Sequence, residues 1–145
     1  MSKRIYLCGK CTGLSFEEMN GWRKKFTNLI ESNSMDFITP KIFNPCDVFG
    51  AEWYEKELSF SEKLKIKNFD LTAIRSSNLV IANCKNIESS VGSIYEIAVA
   101  KELKIPIIGF NVSEKLHDWI KTSLDWECED LIDTVDYIQK NYNYL

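Results

Sequence analysis

Hydrophobic residues recur along the chain in short runs of strand length, separated by longer stretches of helical spacing. Arg4 to Cys8 (Arg-Ile-Tyr-Leu-Cys) reads as a first strand, ended by Gly9 and Gly13. Ser15-Phe16-Glu17-Glu18 follows as a capping box with Ser15 at the N-cap and Glu18 at N3. It predicts a helix to about Glu31 with Trp22, Phe26, Leu29 and Ile30 on the buried side. Asp36 to Phe43, interrupted by Pro40, is a weaker strand, and Asn44-Pro45-Cys46-Asp47 is expected to close it as a turn or loop. Glu52 to Leu58 reads as a short helix and Glu62 to Arg75 as a longer one. The compact apolar run Asn78-Leu79-Val80-Ile81-Ala82-Asn83 then suits a strand buried on both faces. After a polar loop, Lys85 to Ser89, the alternation repeats with a helix from about Ser90 to Leu103 and a strand from Ile105 to Phe110. The tail is expected to hold helices at Ser113 to Ser123 and Glu127 to Gln139.

Strand and helix alternating in this way predict an α/β chain. We expect one Rossmann-like or flavodoxin-like domain over residues 1–145, with a mainly parallel sheet of four or five strands and helices on both faces. Ligands of such sheets sit beyond the C-terminal ends of the strands, which directs attention to the loops after Cys8, Phe43, Asn83 and Phe110. With 145 residues, 45% hydrophobic and 12% aromatic, the chain can bury one core, and nothing in it reads as a linker or repeat. A net charge of -3 argues against a nucleic-acid polymer as partner, because a duplex binder needs a basic stripe to neutralise phosphates. The apolar run after Met1-Ser2-Lys3-Arg4 is too short for a signal peptide or a membrane span. A cytoplasmic protein is therefore expected. The odd set Cys8, Cys11, Cys46, Cys84 and Cys128 fits a reducing compartment. With His117 as the single histidine and no second Cys-x-x-Cys, no metal site is expected, and the cysteines read as structural or incidental.

Two acids stand where apolar residues would be routine. Gly92, Glu96, Val99 and Leu103 share one helical stripe, so Glu96 has small or apolar neighbours, and Gly92 leaves room for a ligand to approach. Ile66, Asp70, Ala73 and Ile74 repeat the pattern on the preceding helix. Burial of either carboxyl would raise its pKa or demand a partner, and helices flanking one strand bring both acids to one site. Between them, Glu88-Ser89-Ser90-Val91-Gly92-Ser93 is a hydroxyl-rich turn opening a helix. Ser89 or Ser90 can cap that helix, and the same geometry suits a phosphate or a sugar hydroxyl. The loop Gly9-Lys10-Cys11-Thr12-Gly13 has neither a dinucleotide fingerprint nor a P-loop, and no Gly-x-Ser-x-Gly elbow occurs anywhere.

Three segments carry a resemblance: Ile5-Tyr6-Leu7-Cys8-Gly9, Asp70-Leu71-Thr72-Ala73-Ile74 with Ser77 to Ala82 after it, and Ser90 to Ala100 with its Gly-x-x-x-Glu-x-x-x-Ala core. In content, order and spacing they resemble the nucleoside 2-deoxyribosyltransferase superfamily. The resemblance implies Glu96 as nucleophile at the anomeric carbon, Tyr6 orienting it by a hydrogen bond, and Asp70 protonating or positioning the leaving base. It also implies a small-molecule deoxynucleoside or deoxynucleotide as partner, no metal or organic cofactor, and a homodimer or higher oligomer whose tail, here Tyr142 to Leu145, can complete a neighbour's pocket. Substrate contacts are expected from Gly9, Lys10, Ser89, Ser90 and Gly92. Ser90 stands where transferases of the superfamily commonly have an aspartate, as in related 5'-monophosphate N-hydrolases, and Asn78 replaces another aspartate. Lys10 or Arg23 can supply positive charge nearby, although both read equally well as solvated surface cations. Base transfer, hydrolysis and binding without turnover all stay open at this level.

Overall fold

A computed structural model describes residues 3–32 and 39–142. Five strands, β1 (Arg4–Gly9), β2 (Lys41–Phe43), β3 (Leu79–Asn83), β4 (Ile107–Phe110) and β5 (Trp126–Glu127), form one sheet in the order β2-β1-β3-β4-β5. Every neighbouring pair is parallel. Among the described residues six α-helices cover it: α1 (Phe16–Ser32), α2 (Pro45–Tyr54), α3 (Phe60–Arg75), α4 (Val91–Glu102), α5 (Asp118–Lys121) and α6 (Leu131–Asn141). The α/β expectation holds, with five strands. The strand order reverses between β1 and β3, and in a doubly wound sheet this is where a crevice opens.

The strands alternate faces with period two. Ile5 and Leu7 of β1 join Phe26, Ile30, Leu131, Val135 and Ile138 under α1 and α6. Tyr6 and Cys8 join Leu71, Ala73, Ile74, Ile97 and Ala100 under α3 and α4. The α1 capping box forms as expected, with the Glu18 N–H donating to Ser15 Oγ at 3.1 Å and the Ser15 N–H to Glu18 Oε1 at 3.2 Å.

Several boundaries differ from the sequence reading. Asn44-Pro45-Cys46-Asp47 starts α2 instead of forming a loop: Asn44 caps it, accepting from the Cys46 N–H at 3.0 Å, and Pro45 occupies the first turn, where its missing N–H costs nothing. That helix breaks at Gly50 (φ +74°) and ends at Tyr54, so Glu55 to Leu58 is not helical. α3 begins at Phe60, two residues early, because Ser59 and Glu62 make a second capping box. The helix expected from Ser113 contracts to Asp118–Lys121, capped by the His117 ring, and Trp126–Glu127 adds the edge strand β5 before α6. The expected strand at Asp36 to Phe43 is seen as β2 at its end; residues 36–38 lie outside the described residues, as does the tail beyond Tyr142.

Candidate active site

The site stands at the β1–β3 crevice and draws on one strand, β1, and on the two helices over it, α3 and α4. β1 presents Tyr6 and Cys8 on the α4 side of the sheet because alternate strand residues share a face. α4 presents Glu96 opposite them. The fully buried stripe of α4 is Ser93, Ile97 and Ala100, so Glu96 lies at the edge of that stripe, turned toward α3, while Leu103 at the far end of its own row is exposed. The Tyr6 hydroxyl donates to Glu96 Oε2, and the Cys8 thiol approaches Glu96 Oε1 at 3.9 Å. Tyr6 itself is 1% exposed. Burial, then the charges of Glu96 and Asp70, push its pKa well above the usual phenol value, so it keeps the proton it donates.

Glu96 is pushed up to about 7, with burial as the main cause, against which the Tyr6 hydrogen bond and the Arg23 charge pull down. Asp70 on α3 is pushed up further, to about 8, by burial and then by the Glu96 charge. Its Oδ1 is buried and has no hydrogen-bond partner among the described residues. Two carboxyls face one crevice with unequal proton affinities, an arrangement in which one group can hold a proton while the other is ionised. Both line a cavity of about 610 Å³ between α3 and α4, together with Thr12, Ile66, Gly92 and Tyr95. They also line a smaller adjoining one of about 130 Å³, which reaches Tyr6, Gly9, Arg23, Tyr54 and Ser90. Among the described residues no cluster of three or more His, Cys, Asp or Glu is placed to hold a metal ion. No helix among them is long and apolar enough to cross a membrane.

The remaining candidates divide. Gly92 lies on both cavities with nothing within 4 Å of where a Cβ would stand, so the expected room for a ligand is there. Gly9 is at the floor of the smaller cavity, where a Cβ would meet the Trp22 ring at 2.9 Å. Ser90 caps α4, accepting from the Ser93 N–H at 3.4 Å and donating to Ser93 Oγ at 2.8 Å. Ser89 and Lys10 face a different cavity, of about 470 Å³, where the Lys10 ammonium donates to Ser89 Oγ at 2.7 Å. Arg23 is no surface cation: it is 1% exposed, and its guanidinium donates to the Met19 carbonyl and to the Gly9 carbonyl at 3.1 Å.

Sequence reasoning passed over Cys8, although its spacing from Tyr6 already put both on one strand face. It also missed Lys63 and Lys67, which stand on the α3 side of the larger cavity at i, i+4, with Asp70 one turn on. The Lys67 ammonium sits 4.7 Å from the centre of the Tyr95 ring.

Taken together, these features define a parallel doubly wound domain with a carboxyl pair at its switch point. The chain belongs to the nucleoside 2-deoxyribosyltransferase family, whose model matches residues 5–135. Among solved structures it is similar to a 2-deoxyribosyltransferase of Bacillus psychrosaccharolyticus, at 18% identity and TM-score 0.69, with 92% of this chain and 91% of that one covered. A conserved protein of Enterococcus faecalis V583 superposes with TM-score 0.72 at 11% identity, covering 97% and 99%. A CMP N-glycosidase of Clostridium botulinum does so with TM-score 0.55 at 15% identity, covering 95% and 99%. No curated protein matches the chain by sequence. Membership supports enzyme activity of the nucleoside deoxyribosyltransferase or N-glycosidase kind.

Proposed function

We propose that this protein cleaves the N-glycosidic bond of 2'-deoxyribonucleosides or their 5'-monophosphates through a covalent ester on Glu96, and transfers the deoxyribosyl group to another nucleobase. The observation that carries this reading is the carboxyl pair in one cavity, with Tyr6 holding Glu96 and with Asp70 keeping a buried, unpartnered oxygen. Ionised Glu96 attacks the anomeric carbon as the bond to the base breaks. Protonated Asp70 gives its proton to the departing base, or positions it, and takes one back from the acceptor in the second half. Retention through a double displacement follows. Tyr6 keeps Glu96 oriented and its charge stabilised, and Gly92 lets the sugar approach.

Hydrolysis of a 5'-monophosphate, with water resolving the same ester, is the second reading. Ser90 favours it, because a neutral hydroxyl at the start of α4 does not repel a phosphate, and the Lys63 and Lys67 ammonium groups give the larger cavity positive charge. In both readings the protein is a homodimer or larger and works in the cytoplasm. Sedimentation of the full chain tests the oligomer, and a monomer at all concentrations contradicts it.

The deciding experiment incubates the protein with deoxynucleosides and their 5'-monophosphates, with and without acceptor base, and measures released base by chromatography. Glu96→Gln is expected to lower the rate by about 10³-fold or more, and denatured-protein mass spectrometry is expected to find a deoxyribosyl adduct on the wild type. Base release by Glu96→Gln at the wild-type rate removes Glu96 as nucleophile. Binding without any release of base leaves a nucleotide-binding module in place of an enzyme.

A further inference from the structure

We infer that Arg23 is a positioning residue, a buried and clamped positive charge on the wall of the smaller cavity that keeps Glu96 ionised without touching the substrate. The inference rests on the reading of Glu96 as an ionised nucleophile and adds to it the charge that such a group needs.

Arg23 stands on α1 beside the end of β1 and is 1% exposed. Backbone holds its guanidinium on two sides: one terminal nitrogen donates to the Met19 carbonyl, a turn earlier on α1, and the other to the Gly9 carbonyl at 3.1 Å. The Trp22 ring packs against it, with its centre 4.7 Å from the guanidinium carbon. Both hydrogen-bond partners are neutral. No salt bridge to Arg23 occurs among the described residues, and its buried Nε has no partner among them. A guanidinium does not give up its proton, so burying it is costly unless negative charge lies within reach. A group so covered is a poor contact for a ligand, yet in a low-dielectric surrounding its field reaches further than it would through water.

The smaller cavity supplies the negative charge. Arg23 lines it together with Glu96 and Asp70, the two acids of that wall, and among the described residues it is the one cation there. The other groups around Glu96 bring no positive charge. From β1 come the Tyr6 hydroxyl and the Cys8 thiol, both of which keep their protons because burial pushes them well up. From α3 comes Asp70, and the Cys11 thiol and the Tyr54 phenol, after β1 and on α2, lie on the same cavity. The Lys63 and Lys67 ammonium groups belong to the larger cavity and are exposed, so water screens them. Geometry also fixes Arg23 to the strand that holds Glu96: Gly9, its acceptor, ends β1 three residues beyond Tyr6. In agreement, burial is the main influence on both carboxyls and raises them, while the Arg23 charge pulls both down.

The test follows the Glu96 carboxyl itself. Glutamate is isotopically labelled at the side-chain carboxyl carbon, the Glu96 signal is identified by its loss in Glu96→Gln, and its titration is recorded by NMR on the full chain, with base release measured over the same pH range. In Arg23→Gln the Glu96 midpoint is expected to rise by about one pH unit or more. Both limbs of the pH–rate profile then move to higher pH, and the rate at neutral pH falls about fivefold and recovers as pH is raised. Arg23→Lys, which keeps a positive charge, is expected to bring the midpoint most of the way back. A midpoint that stays in place in Arg23→Gln, or that moves equally far in Arg23→Lys, overturns the inference. A wild type that releases no base removes the enzyme reading, and the titration still decides the role of Arg23. Should Arg23→Gln fail to fold, as judged by circular dichroism, the double variant Arg23→Gln with Glu96→Gln decides: its folding supports a charge held for Glu96, and its failure to fold makes Arg23 a structural clamp and overturns the inference.

Discussion

The two faces of the sheet are built from alternate residues of the same strands, yet they are solved differently. Under α1 and α6, Ile5, Leu7, Leu79, Ile81, Ile108 and Phe110 meet Phe26, Ile30, Val135 and Ile138 in an apolar layer. Under α3 and α4, the intervening positions put a phenol and a thiol, Tyr6 and Cys8, against Glu96, with Asp70 close by holding an unmatched oxygen. One face adds stability by removing apolar area from water, and the other gives up stability by burying two carboxyls, the pair proposed here to react. The cost is concentrated where the cavities are, since both carboxyls line them.

Substitutions on the two faces should therefore separate activity from stability. Asp70→Asn is expected to lower base release by about 10²- to 10⁴-fold while making the fold more stable at alkaline pH. For the sign, the folded-state pKa of about 8 lies above the ordinary 3.8, so the stability from this group is complete below about 4 and is lost as pH rises toward 8. Thermal melts of wild type and variant across that range should diverge; parallel curves contradict it. On the other face, Phe26→Ala should cost about 3–5 kcal/mol of folding stability, measured by urea unfolding, with no selective loss of turnover by the protein still folded.

The wild-type pH profile should be a narrow bell, rising as Glu96 ionises about pH 7 and falling as Asp70 loses its proton about pH 8. Tyr6→Phe removes a hydrogen bond that pulls Glu96 down, so the rising limb should move to higher pH and the rate fall about ten- to a hundredfold. An unmoved limb in steady-state assays would mean that Tyr6 does not act through Glu96. Smallest is Ser90→Ala, which should cost about 1 kcal/mol as a lost helix cap. A much larger drop in 5'-monophosphate cleavage than in nucleoside cleavage would show that this hydroxyl also meets the phosphate.

What could be read from the sequence was whatever periodicity and local capping decide. The polar residue within each apolar stripe marked Glu96 and Asp70, and the strand–helix alternation was enough for a parallel sheet. Asn44-Pro45 was ambiguous because the same pair starts helices and makes turns, and the choice depended on what α2 packs against. The two residues of β5 are too few to show any period. Arg23 was beyond reach for a deeper reason: a buried guanidinium is possible there only because the Met19 and Gly9 carbonyls converge on it, and one of them comes from β1. Likewise, Lys10 and Ser89 are far apart in sequence, and only tertiary placement turns them to each other instead of to Glu96.

The pairing of β1 with β3, Tyr6 opposite Val80 and Leu7 opposite Ile81, has a last consequence. A slip of one residue would swap the contents of the two layers, sending the phenol and thiol into oil and two aliphatic chains to the carboxylates. A one-residue register error therefore removes both Tyr6 and Cys8 from Glu96 at a single stroke.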